Sequence, residues 1–127
     1  MPPLASQRLT EAMSEPKTFD PPAPGQLAIA VKREAESVVV SLTGELDLAT
    51  VEAFDRRLRE AESASPVKLV VDLGRLAFMD STGLQTLLRA AERAHSNEYE
   101  LALRRGPNQV QRVFELTRTT EAFKFDD

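Results

Sequence analysis

Apolar and polar positions along this chain change period several times, and each change marks an element. Leu27, Ile29 and Val31 alternate with Ala28, Ala30 and Lys32, the two-residue period of a half-buried strand. Arg33 to Glu36 is polar enough to turn the chain. Ser37 to Thr43, SVVVSLT, is a second β-rich run, so the two predict an antiparallel hairpin. Gly44-Glu45-Leu46-Asp47 follows, with Gly44 supplying backbone freedom at the strand end. Asp47 or Thr50 then caps a helix whose Val51, Phe54, Leu58 and Ala61 face a core. Ser63 to Pro66 ends it.

The most informative stretch begins at Lys68. Leu69, Val70, Val71 and Leu73 make a short buried strand, and Leu84, Leu87, Leu88 and Ala91 recur at helical spacing. That helix is expected to fade near His95 to Asn97. Between strand and helix lies Met79-Asp80-Ser81-Thr82-Gly83. A helix N-terminus there points unpaired N–H groups and the positive end of its dipole at these side chains. Three residues compete to cap it. Thr82 with Gln85 fits a capping box, which would leave the Ser81 hydroxyl just outside the helix; Asp80 and Ser81 each cap one frame earlier. Gly83 falls in the first turn, where the lack of a side chain would keep the surface beside Ser81 open.

Further on, Leu101 and Leu103 mark a strand over Glu100 to Arg105. Gly106-Pro107 breaks it, with Pro107 suited to the first turn of a last helix. Val110, Val113, Phe114 and Thr117 are predicted to line that helix's inner face, and Phe123 and Phe125 alternate in a last short strand. Strands interleaved with helices after an opening hairpin predict an α/β fold with a mixed sheet, because parallel neighbours need crossovers.

Composition narrows the chemistry. The 127 residues suit one domain. Residues 1–25 hold most of the prolines and show no sustained apolar period, so they read as a flexible tail ahead of a domain over 26–127. A net charge of −4 argues against a nucleic-acid surface. The absence of cysteine excludes disulfides and thiolate chemistry. No apolar run approaches the roughly 20 residues of a membrane span, and no signal pattern opens the chain, so a cytoplasmic protein is expected. His95 is the sole histidine. It falls some 20 Å along the helix from Ser81, too far for a serine–histidine pair. Asp72 and Asp80 form at most a weak paired-carboxylate candidate, Asp72 being better explained as a residue at the strand's edge. A small serine hydrolase is therefore the unfavoured reading, and no cofactor or metal is expected.

FMDSTGLQTLL, with the preceding LVVDL and the upstream GELDLAT, resembles the signature of the STAS domain of bacterial anti-sigma factor antagonists. The likeness runs from about Leu27 to the C-terminus. It implies a sheet of four or five strands with packed helices, and a non-enzymatic protein that captures an anti-sigma factor kinase and frees a sigma factor. It further implies that the kinase phosphorylates Ser81 to end the capture, and that a separate phosphatase restores it. The partner surface it implies comprises Gly44, Glu45 and Asp47 in the turn after the second strand, with Asp80, Thr82, Gly83 and Gln85 around the serine. Neither nucleic acid nor membrane is an implied partner. A STAS subunit of a transporter or larger signalling assembly is the alternative within the fold. The chain departs from the family pattern at Gln85-Thr86, where a small and then an aliphatic residue are common, and at Arg118, where a glycine often ends the last helix.

Overall fold

The computed structural model describes residues 22–126. The expected tail lies outside them up to residue 21; its last residues, from Pro22, lead into the first strand through a turn in which the Gln26 N–H donates to the Ala23 carbonyl. The elements follow in the order β1 (Leu27–Glu34), β2 (Ser37–Leu46), α1 (Val51–Ser63), β3 (Lys68–Met79), α2 (Ser81–Asn97), β4 (Glu100–Arg104), α3 (Asn108–Leu116), a 3-10 turn (Thr120–Ala122) and β5 (Lys124–Phe125).

The strands form one sheet in the order β1-β2-β3-β4-β5. β1 and β2 are an antiparallel hairpin whose two-residue turn puts Ala35 in the left-handed region, and every later pairing is parallel. This is the mixed α/β sheet expected from the sequence. Val38, Val40, Leu42, Leu69, Val71, Leu73 and Leu103 face a common core, closed by Phe54 and Leu58 of α1, Leu84 and Leu87 of α2, and Val110 and Phe114 of α3. Phe123 and Phe125 each meet the Phe114 ring edge-on at 5.4 Å, so the short C-terminal strand is held by aromatic packing.

Several boundaries differ from the sequence reading. β2 continues to Leu46 and β3 to Met79, because the two strands pair in parallel as far as Leu46 with Met79, through bulges near Gly44. Asp72 therefore lies inside β3, where it accepts the Gly74 N–H at 2.9 Å and pairs with Arg104 at 3.6 Å. Val31 is exposed rather than half-buried. Pro107 is the residue before α3, extended in backbone, and Thr117 follows the helix and is exposed. Thr117 falls one residue beyond the helix, because Arg118 takes the left-handed conformation and stops it.

Candidate functional site

The C-terminal ends of the adjacent parallel strands β2 and β3 bring two loops together. One is residues 47–50, entering α1; the other is Asp80, entering α2. In open parallel sheets this rim is the usual place for a ligand or partner. The Asp80 N–H donates to the Leu46 carbonyl at 3.2 Å, a last ladder bond that keeps Asp80 extended and fixes where α2 begins.

Asp80 is the cap of α2. Its Oδ1 accepts the N–H of Thr82 at 2.9 Å, the N–H of Gly83 at 3.3 Å and the Thr82 hydroxyl at 2.5 Å. Of the three candidates Asp80 is thus the cap, and the alternative capping box of Thr82 and Gln85 does not form, since the Thr82 hydroxyl donates to Asp80. Ser81 is consequently the first residue of the helix rather than a residue just outside it, and it is exposed. Burial pushes the Asp80 carboxyl up, but the hydrogen bonds from the Thr82 hydroxyl and from the N–H groups of Gly83, Thr82 and Leu48 outweigh it and hold the group below its ordinary value. The bond from the Asp80 N–H to the Leu46 carbonyl ties the α1 loop to the α2 entrance.

Gly83 is buried, and the open surface expected beside Ser81 is not what its missing side chain provides. A Cβ there would stand 2.8 Å from Leu46 and 3.0 Å from Met79, so the glycine lets α2 close on the strand ends. Gln85 is exposed one turn along from Ser81 on the same face. Thr86 is buried instead, its hydroxyl satisfied by the Thr82 carbonyl at 3.1 Å.

In the first loop, Gly44 and Glu45 are the closing residues of β2 rather than a turn. Gly44 has φ +110°, and a Cβ would fall 2.3 Å from the Gln26 carbonyl oxygen. Glycine is therefore required there by backbone approach alone. Asp47 Oδ1 accepts the N–H groups of Ala49 at 3.0 Å and Thr50 at 3.2 Å. The Thr50 hydroxyl donates to the Glu45 carbonyl at 2.8 Å and accepts the Asp47 N–H at 3.0 Å. Asp47 and Thr50 together fold the loop, but the expected side-chain cap of α1 does not form: Thr50 holds the cap position without a side-chain cap bond, its hydroxyl being spent on the loop.

Leu48, 76% exposed at the tip of this loop, went unremarked in the sequence, as did Phe78 on the β3 end at 47%. An exposed leucine inside a turn of polar residues was the available signal. His95 lies in the last turn of α2, at the opposite end from Ser81. Asp72 and Asp80 are separated by the seven strand residues 73–79, more than about 20 Å. Neither a serine–histidine pair nor a carboxylate pair is assembled, and no described residues form a cluster able to hold a metal.

A family model described as Mlab, STAS domain, matches residues 29–122, and the chain belongs to that family. The anti-sigma-F factor antagonist RsfB of Mycobacterium tuberculosis is 32% identical over 71 residues, which cover 56% of this chain and 58% of that protein. The chain thus matches little more than half the length of that relative. The anti-sigma-B factor antagonist of Listeria monocytogenes is 27% identical over 92 residues, 72% of this chain and 81% of that one. The crystal structure of an anti-sigma factor antagonist from Mycobacterium paratuberculosis superposes with a TM-score of 0.72 at 26% identity, covering 83% of this chain and 90% of that one.

Proposed function

We propose that this protein is an anti-sigma factor antagonist switched by phosphorylation of Ser81. The unmodified form captures an anti-sigma factor that is itself a kinase, and so frees a sigma factor. The observation that carries this reading is the division of labour at the α2 entrance: Asp80 does the capping, which leaves the Ser81 hydroxyl exposed and uncommitted. The names of the relatives support the antagonist role. No described helix is long and apolar enough to cross a membrane.

In the phosphoryl transfer, Ser81 Oγ attacks the γ-phosphorus of ATP held by the kinase. The new Oγ–P bond forms as the bond to the bridging oxygen of ADP breaks, and the hydroxyl proton passes to a base on the kinase. The protein is substrate rather than enzyme, and a separate phosphatase hydrolyses the ester. The phosphate adds about −1.5 to −2 charges beside Asp80. In the free protein water and the α2 N-terminus accommodate that charge. A partner packed over the rim would have to bury it, which is costly without a matched cation. Gly44, Glu45, Asp47, Asp80, Thr82, Gly83 and Gln85 build or border this rim. The buried Gly83 and the loop-forming Asp47 shape it, while Gln85 offers direct contact.

Incubation with the purified anti-sigma factors of the source organism and ATP, followed by mass spectrometry, tests this. One phosphate per chain, on Ser81, is the expected result. Phosphate elsewhere, or none with any of them, contradicts it.

A further inference from the structure

We propose that Leu48 is the apolar anchor of the interface, seating in a hydrophobic pocket of the anti-sigma factor next to the nucleotide that phosphorylates Ser81. This rests on the antagonist reading above and names the side chain that dominates its binding energy.

Leu48 projects from a loop with little freedom. The residues on either side are fixed by the Asp47 carboxylate, which accepts the Ala49 and Thr50 N–H groups, and by the Thr50 hydroxyl bridging Glu45 and Asp47. The loop's stem is tied to the phosphorylation site, since the N–H of Asp80, the residue before Ser81, donates to the carbonyl of Leu46 at 3.2 Å. A large apolar side chain, 76% exposed, is thus held outward on a rigid stem. Ordering such a residue on binding costs little entropy, and burying it recovers its full transfer free energy. Anchors of this kind concentrate binding energy near the centre of interfaces. The bond from the Asp80 N–H to the Leu46 carbonyl sets this loop beside Ser81, so a partner that reaches the serine hydroxyl covers Leu48 too. The kinase is for this reason the occupant proposed, rather than a second copy of the chain.

The molecule supplies a matched control. Leu116, at the end of α3, is 77% exposed, and lies on a different element. Leu48→Ser, Leu48→Met and Leu116→Ser should melt within a degree or two of the unchanged protein, since exposed side chains contribute little to the fold. Each would be titrated calorimetrically into the purified kinase-type anti-sigma factors of the source organism with ADP present. The expected result is at least tenfold weaker binding for Leu48→Ser, and binding within about threefold of wild type for Leu48→Met and Leu116→Ser. Wild-type binding with Leu48→Ser equally tight would overturn the anchor and leave the antagonist reading standing. Failure of the unchanged protein to bind any of them would overturn both. A concentration-dependent dimer abolished by Leu48→Ser, with kinase binding intact, would assign the side chain to a second copy and also overturn the proposal.

Discussion

The Thr82 hydroxyl lies 2.5 Å from Oδ1 of Asp80, and the serine between them takes no part in that bond. Cap and modification site are adjacent in sequence yet separate in task. Stability and switching should therefore respond to different substitutions. Ser81→Ala is expected to change unfolding free energy by less than about 0.5 kcal/mol, as for an exposed residue outside a cap. Asp80→Ala should cost about 0.5–2 kcal/mol. Urea titrations of the two variants check this; an equal loss in both would return a capping role to Ser81.

Gly83→Ala is a second test of the same corner. The added methyl gains up to about 1 kcal/mol in helix propensity, but overpacking in a closed contact typically costs about 1–3 kcal/mol. Leu46 and Met79, which it would strike, are both fully buried and have nowhere to turn. A net loss of up to about 2 kcal/mol is expected, read as a lower urea midpoint. A stabilised variant would show that the strand ends can give way.

Arg118 ends α3 at φ +60°, with its N–H on the Glu115 carbonyl at 3.1 Å and the Thr119 N–H on the Phe114 carbonyl at 2.9 Å. This is the two-bond helix stop that glycine usually occupies, performed here by an arginine. Arg118→Gly should stabilise the fold by about 1 kcal/mol, because the left-handed conformation burdens a residue with a Cβ by roughly that much. A rise in Tm of several degrees is the corresponding reading for a domain of this size. A fall would mean that the arginine side chain contributes more than its backbone costs.

Tyr99 is the only tyrosine, and the chain has no tryptophan, so its ionisation can be followed without interference. Burial, joined by the nearby Glu62 carboxylate, pushes its phenol from 10.0 up to about 12. The folded state thus keeps a proton that the unfolded chain gives up. The stability this contributes is fully present below pH 10 and is lost as pH rises toward 12. The absorbance of phenolate should titrate well above 10 in the folded protein, and Tyr99→Phe should flatten the alkaline decline in stability. A midpoint at 10 would place the hydroxyl in water.

Much of this arrangement was legible in the chain. The alternation at Leu27 and Ile29 and the spacing of Phe54, Leu58 and Ala61 each reflect one face turned to one core, and local period records that directly; Val38–Val40 is a consecutive run because both faces of β2 are covered there. The strand ends were not legible, since Gly44 and Glu45, like Gly74 and Arg75, look like loop residues on their own. They are strand because β2 and β3 pair with each other, a tertiary fact. The cap of α2 was undecided for a related reason: Asp80 and Thr82 are both good caps, and the Leu46 carbonyl chooses between them by holding Asp80 extended. Gly83 read as an opening because its constraint comes from Leu46, far away in sequence. The serine's importance came from the DSTGL motif and its flanks; its freedom from capping came from the structure.

The central claim is that a phosphate on Ser81 separates this protein from its anti-sigma factor without unfolding it. Calorimetry of the unmodified and phosphorylated proteins against the same purified anti-sigma factor, with matched melting curves, tests it most directly. A penalty of roughly 3 kcal/mol, about a hundredfold in Kd, is expected with little change in Tm. Equal affinity of the two forms would contradict the account.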